Sequence, residues 1–548
     1  MIANPDTASA VTKINGVAAA KFVEDSARIA AWNQDVDSAY NGQFHQASLK
    51  PFGNAHGFFS ASGRGALLYQ GNSTTFEFAN GTSVTFPNIA TVNGDMTNIK
   101  DGASYYKKFC YVAPGATVPN SNSGASKVSD DHTVPGYPKP IMATTDGIVS
   151  GYYLEGEGVE NVAVIVLLAF ENPNPSEFQA TIRDFFNTAV ADGKTKLVID
   201  FQGNGGGYIL LGYDFFRQLF PNIQEDGYSR WKGNAAYIDI AHIVSDELED
   251  FDPATSNNRG LIADSTTTFN YRHDLNRNLE NFESFDDKFA PYRYKNTDYT
   301  NLMRWNLSDP LTTTNTTFGM GMEISGYGKL KNLAQPFEAH NIVMLYDGVC
   351  ASTCTLASEM LRIQGGVKSI AMGGRPKAGA IQGVGGVKGS QVYSWKSVWK
   401  YASGAARLSN DKAVKKELGR YTSLPLLRST AAALNVRDQI LRDNLEDGTP
   451  AQFIKEDADC RLYWTAPMLE DVTEVWKAAA NSAFNGAKCA AGGIQQPEKR
   501  SGGEALASQP DHVKRAMKFK LTVPDAIKKA IPPLQDEKWQ EIYQQKAI

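Results

Sequence analysis

The stretch HNIVMLYDGVCASTCTLASEML, residues 340–361, joins two patterns across a turn. Asn341 to Tyr346 reads as a buried strand, Asp347-Gly348 stops it, and from Thr353 to Gln364 the apolar residues fall at helical spacing. Ser352 therefore sits where a strand ends and a helix begins. The first amides of such a helix lack partners within it, and its dipole favours negative charge, so a hydroxyl there is placed to attack a carbonyl whose oxygen becomes an anion. Upstream, Lys196 to Phe201 (KLVIDF) reads as another buried strand. It runs into Gly203-Asn204-Gly205-Gly206-Gly207 and then a helix over Tyr208 to Phe220. A glycine turn of this kind can present bare amides to an oxyanion.

Each signal alone is weak. A serine near a helix start is commonly a cap, and GNGGG lacks both the Lys-Ser/Thr of a phosphate loop and an acidic residue about 20 positions on that would hold a ribose. A tight turn needing positive φ is the plain alternative. Together, on consecutive βα turns of one sheet, they gain weight, because ligands bind at the carboxyl ends of such strands.

The flanking sequence continues the alternation. Val162 to Phe170 is a strand, and Glu177 to Val190 carries Phe178, Ile182, Phe185, Phe186 and Ala189 at helical spacing, with Ser176 placed to cap it. After Ser352 comes a strand over Ser369 to Met372. A βαβα series of this kind means parallel strands joined by right-handed crossovers. The series breaks over residues 221–339, rich in Asn, Asp, Thr and aromatics, which reads as an insertion forming a lid or substrate wall. Residues 1–112 form a small strand-rich domain, in which Thr74 to Phe78 and Thr82 to Phe86 alternate around Ala79-Asn80-Gly81 as a hairpin. Residues 113–150 have linker composition. The core spans 151–400, a helical region 401–489, and a flexible tail 490–548.

Composition narrows the functional classes. With 548 residues, 42% hydrophobic and 21% charged, the chain is long enough for roughly three or four units of about 150 residues. A net charge of -5 without a dense basic stripe argues against a nucleic-acid binder held by phosphate contacts. The longest apolar run, Val162 to Phe170, falls well short of the ~20 residues of a membrane helix. Five cysteines, Cys110, Cys350, Cys354, Cys460 and Cys489, include no paired zinc spacing, and one must stay unpaired within the chain. Cys460 and Cys489 are read either as a bridge or as two buried thiols, and Cys350 and Cys354 as buried thiols beneath the serine's turn. The first residues show no signal peptide. No metal and no cofactor is called for.

These motifs resemble a known family. Asp200-Phe201-Gln202-Gly203-Asn204-Gly205-Gly206-Gly207 is similar to the D-L-R-G-N-G-G-G turn of the tail-specific, or C-terminal processing, proteases of serine peptidase family S41. The wider pattern, GYYLEGEGVENVAVIVLLAF, DGVCASTCTLASEML, GGRPKAGAIQGVGGVKG and ADCRLYWT, resembles the secreted fungal branch related to the chlamydial protease-like activity factor, and INGVAAAKFV with DVDSAYN resembles that branch's PDZ-like domain. The resemblance implies an α/β fold, a ClpP/crotonase-like spiral core preceded by a small β-rich PDZ-like domain. It also implies a protein or peptide substrate, an extracellular setting, Ser352 as nucleophile, and an oxyanion hole from the amide of Thr353 and one in Gly205 to Gly206.

The resemblance leaves the base open. Lys377 stands about two dozen residues after the serine, the spacing of the processing proteases' lysine, although Gly379 occupies the place where that lysine motif aligns best. The chlamydial-related branch instead uses a histidine from a D-G-H-F-like motif before the PDZ-like domain, and this chain starts inside that domain. His45 and His56 stand in other contexts, and His340 opens the strand at the end opposite Ser352. Asp411, Asp438 and Glu456 are candidates for the acid, each with a reading as a solvated or capping carboxylate. Lys388 is either an exposed lysine or part of the groove. The alternative function is a catalytically incomplete relative that binds peptides.

Overall fold

The computed structural model of the protein describes residues 8–30, 33–53, 57, 71–89, 94–111, 133–421 and 432–494. At its centre is an eight-stranded sheet in the order Ala491–Gly492, Cys460–Leu462, Lys368–Met372, Ile342–Tyr346, Lys196–Asp200, Val162–Leu167, Val149–Tyr153 and Met142–Ala143. The five strands from Cys460–Leu462 to Val162–Leu167 are parallel, and antiparallel strands close both edges. Each parallel strand lies beside its predecessor in sequence, so the chain winds one way across the sheet. Val162–Leu167 is buried at every residue, as expected for a strand covered on both faces. Helices Pro175–Ala191, Ile209–Leu219, Thr353–Glu359 and Val472–Phe484 supply the cover, through residues such as Phe178, Phe185, Phe215, Leu356 and Trp476.

The alternation expected for the core is present, with differences at element ends. Helix Pro175–Ala191 starts at Asn174, not at Ser176; the Ser176 hydroxyl donates to Gly321 O at 3.1 Å and caps nothing. The helix after Ser352 is α-helical only to Glu359 and then widens into a π turn over Met360–Gln364. Strands Met142–Ala143 and Val149–Tyr153 already belong to the main sheet, within the segment expected as linker. The region expected to be helical beyond residue 401 contributes Cys460–Leu462 to the same sheet.

Within the stretch expected as an insertion, residues from Trp231 to Met303 build a second apolar centre and share it with later residues, whereas Leu307, Met322, Ile324 and Phe337 pack into the main core. Strand Tyr228–Trp231 pairs with Met303–Arg304 on one side and Arg437–Ile440 on the other. Trp231, Tyr237 and Phe269 pack there with Ala402, Ala405 and Leu418 from helices Trp395–Leu408 and Lys412–Gly419. Beneath them Asp274 accepts from Lys288 at 2.8 Å and Arg437 at 3.0 Å, all three fully buried. The two cations hold the Asp274 carboxyl well below the usual range despite its burial, while burial lowers Lys288 to about 8. Part of the insertion read from the sequence thus shares a subdomain with residues 395–421 and 437–440, and the remainder joins the main core.

The N-terminal residues form a four-stranded antiparallel sheet ordered Val17–Ala18, Val11–Ile14, Ser73–Phe78, Ser83–Pro87. The Asn80-Gly81 hairpin is there, with Gly81 at φ +83. Asn15 and Gly16, at φ +49 and +77, turn the first hairpin, a conformation that favours Asn-Gly. Among the described residues no helix is long and apolar enough to cross a membrane.

Candidate active site

Strands Lys196–Asp200 and Ile342–Tyr346 are parallel neighbours with Asp200 opposite Leu345, so the turns that follow them leave the sheet side by side. The carboxylate of Asp347 ties these turns together. One oxygen accepts Val349 N–H at 3.0 Å, on the serine's side, and the other accepts Gly203 N–H at 2.9 Å, on the glycine side. Burial, reinforced by the charge of nearby Asp200, pushes Asp347 up to about 7. Asp200 lies beneath and accepts the Trp476 indole N–H at 2.7 Å and Gln202 N–H at 2.9 Å; burial raises it too. Two further bonds join the turns: the Thr353 hydroxyl donates to Gly207 O at 2.7 Å, and Ala351 N–H donates to Asn204 O at 3.3 Å.

Ser352 is half-buried and adopts φ +51, ψ -121, a backbone state that costs an L-residue strain and persists only where its surroundings impose it. Its N–H donates to Val387 O at 2.8 Å, and its carbonyl accepts from Thr355 N–H at 2.9 Å. It is the N-cap residue of helix Thr353–Glu359 without a side-chain cap bond, so the hydroxyl is not spent on the helix. Gly206 approaches from the facing turn at φ +102. A Cβ there would fall 2.6 Å from Ser352 Cβ, 2.7 Å from Ala351 O and 2.9 Å from Thr353 N, a space only glycine fits. The Gly206 amide itself donates to Asn204 Oδ1 at 2.9 Å, and Asn204 is anchored by a 2.8 Å bond to Leu167 O. Gly205 is exposed, and Thr353 is buried at the helix start.

Cys350 and Cys354 are bonded to each other, where the sequence leads one to expect free thiols. Their four-residue spacing spans one turn at the helix start and brings the Cα atoms to 5.4 Å, within disulfide range, so the bridge brackets Ser352. Cys460 and Cys489 form the second bridge, and Cys110 is the free, buried cysteine.

Lys377 is exposed. Its carbonyl accepts from Arg461 at 2.7 Å and Tyr463 at 3.2 Å, and its charge acts on Asp37; among the described residues no hydrogen bond joins it to the Ser352 hydroxyl. Arg461 also donates to the carbonyls of Gly373, Arg375 and Gly379, and so shapes the whole Gly373–Gly379 loop. His340 lies at the far end of strand Ile342–Tyr346. His45 lies two residues before the 3-10 helix Ala47–Phe52, and His56 falls outside the described residues. Asp411 caps helix Lys412–Gly419, and Asp438 pairs with Arg230. Glu456 is buried between Arg362 and Lys388, so Lys388, next to the Val387 carbonyl that holds Ser352, is a buried ion-pair partner. Among the described residues no group of His, Cys, Asp and Glu is arranged to hold a metal ion.

The N-terminal segment forms one wall. Asn41 donates to Asp347 O and Met372 O, both at 2.8 Å, and accepts Gly374 N–H at 2.7 Å. Arg375 binds Asp37 at 2.8 Å and Glu24 at 2.9 Å. Leu49 and Phe52 border a cavity of about 300 Å³ together with Leu168, Ala169, Glu171 and Gly203, Gly205 and Gly206. Asp347, Asn204, Asn41 and Arg461 were not singled out from the sequence. The one local signal for Asp347 is that Asp200 and Asp347 each end a core strand just before a glycine-bearing turn.

Comparison with known proteins gives the chain's family. Residues 1–97 match the CPAF-like PDZ domain. Over 488 residues the chain is 30% identical to the Peptidase S41 family protein ustP of Aspergillus flavus, covering 83% of this chain and 97% of that relative. The chain belongs to the peptidase S41 family. A second S41 relative, phomP1 of Diaporthe leptostromiformis, is 29% identical over 529 residues, 87% of this chain and 76% of that one. Among solved structures, mature CPAF complexed with lactacystin matches 87% of this S41 chain and 78% of its own at 13% identity and a TM-score of 0.42. The expected α/β core and PDZ-like domain both stand, and the S41 chain is a peptidase by family.

Proposed function

We propose that this S41 chain is a serine-type endopeptidase with Ser352 as its nucleophile. The observation that carries the reading is the strained Ser352, its hydroxyl unused by the helix it starts, packed against a glycine whose Cβ would collide with it. In this reading Ser352 Oγ attacks the peptide carbonyl carbon, its proton passes through a base to the leaving amine, and water then releases the acyl group. The amides of Thr353 and Gly205 hold the oxyanion, because the Gly206 N–H is already given to Asn204; Gly206 serves by its lack of a side chain. Each such donor is worth about 3 kcal/mol in the transition state. Lys377 is the base this chain offers by its spacing, and the loop carrying it is held by Arg461. The two disulfides favour an oxidising, extracellular setting.

The test is labelling by a fluorophosphonate. The wild type is expected to react and Ser352→Ala to remain unlabelled with an unchanged circular-dichroism spectrum. A folded wild type that does not label, or a Ser352→Ala protein that does, overturns the assignment. Lys377→Ala is expected to slow labelling; an unaltered labelling rate would place the base elsewhere.

A further inference from the structure

The cavity beside the glycine turn is lined partly by apolar side chains and partly by polar groups. Leu49, Phe52, Leu168 and Ala169 supply the apolar part, the glycine turn and Glu171 the rest, and among the described residues Glu171 is the single ionisable one that lines it. Glu171 is registered against the turn by the backbone of the residue before it: Phe170 N–H donates to Gly206 O at 2.8 Å, and Phe170 O accepts Tyr208 N–H at 2.7 Å. A Cβ on Gly207 would lie 2.6 Å from Glu171 Cγ, so the side chain rests on the turn. Glu171 is exposed, and none of the ion pairs among the described residues includes it.

The cavity's position follows from covalent geometry. In an acyl transfer at Ser352 the residue that supplies the scissile carbonyl has its Cα bonded to the attacked carbon, so its side chain must leave beside the oxyanion donors. Gly206 separates the two spaces, facing Ser352 on one side and lining the cavity on the other. From this we propose that the cavity receives the side chain on the acyl side of the cleaved bond, and that it selects a cationic side chain, lysine or arginine. The methylene stem lies on Leu49, Phe52 and Leu168, and the charged head meets Glu171. An apolar side chain would fill the walls and leave the carboxylate unanswered, and an acidic one would be repelled. The inference rests on Ser352 being the nucleophile, and it adds Glu171 as the residue that sets specificity.

Binding of product-like peptides tests it without requiring turnover. Three acetylated tetrapeptide acids, identical except for a last residue of lysine, norleucine or glutamate, are titrated calorimetrically into the Ser352→Ala protein. The lysine peptide is expected to bind about tenfold more tightly than the norleucine peptide, the order a charge-assisted bond supplies, and the glutamate peptide most weakly. Adding Glu171→Gln should bring lysine and norleucine together, and Glu171→Lys should favour glutamate. Norleucine equal to or better than lysine, no binding of any peptide, or a preference that survives Glu171→Gln overturns the proposal. Fluorophosphonate labelling of the wild type reports separately on Ser352. Labelling without lysine preference removes the pocket assignment alone, and lysine preference without labelling leaves a peptide-binding site at Glu171 but removes both the nucleophile and the acyl-side role built on it.

Discussion

A methyl group on Gly206 would meet backbone on two sides, Ala351 O at 2.7 Å and Thr353 N at 2.9 Å, in a residue whose φ of +102 already disfavours any side chain. Gly206→Ala therefore displaces the serine turn, and an ångström there is worth about 100-fold in reactivity; fluorophosphonate labelling rates are expected to fall by at least that. Gly404 is the contrast, in the interior of helix Trp395–Leu408 with nothing within 4 Å of the place a methyl group would take. Gly404→Ala should leave labelling unchanged and raise the unfolding free energy by up to about 1 kcal/mol. Asp347 brings pH into the same turns. Its folded pKa lies at about 7, well above the usual carboxylate range, so between about pH 4 and pH 7 the native protein keeps a proton that the unfolded chain has lost. Its contribution is complete at the acid end and is lost as pH rises through 7, with a slope of about 1.4 kcal/mol per pH unit. Urea titrations across that range should show the decline, and Asp347→Asn should flatten it while lowering stability overall, because an amide nitrogen would then face a backbone N–H.

At the scale of elements, the turn after strand Ile342–Tyr346 is held by covalent and polar ties together: the Cys350–Cys354 bridge, the Asp347 carboxylate and the Thr353 hydroxyl. Closing so short a loop limits the unfolded chain by roughly 2 kcal/mol. The double substitution of Cys350 and Cys354 by alanine is expected to lower stability by about that amount in urea unfolding, and to slow labelling at Ser352 by loosening the turn. Both strand–turn–helix units of this site were legible in the sequence, because buried parallel strands leave continuous apolar runs and helices leave a period. The joining bonds were not. Asp347 looks like a turn residue until Gly203 is seen 2.9 Å from it, 144 positions away in the chain. The π turn at Met360–Gln364 was also invisible, since its residues keep an apolar helical pattern.

Across the whole molecule, long-range polar contacts decide which segments share a core. Asp274 is buried with Lys288, 14 positions away, and with Arg437, 163 positions away. Removing one charge strands the others in a dry interior, so Asp274→Asn is expected to cost about 3–5 kcal/mol, measured by denaturant unfolding. Asn41 and Arg375 act likewise between the PDZ-like segment and the peptidase core, and they make that segment a wall of the site. The sequence by itself determined the α/β class, the two βα turns, the hairpin at Asn80-Gly81 and the place of Ser352 at a helix start, because each rests on a short-range pattern of burial or on the chemistry of a few adjacent residues. Only the tertiary structure decided that part of the stretch 221–339 shares a core with residues 395–421 and 437–440, that Cys350 and Cys354 are joined, that the Gly206 amide is already taken, and that Glu171 borders a cavity lined by Gly205 and Gly206. Those facts depend on which distant atoms come within about 3 Å of each other, and a hydrogen bond across 144 residues leaves no period in the chain.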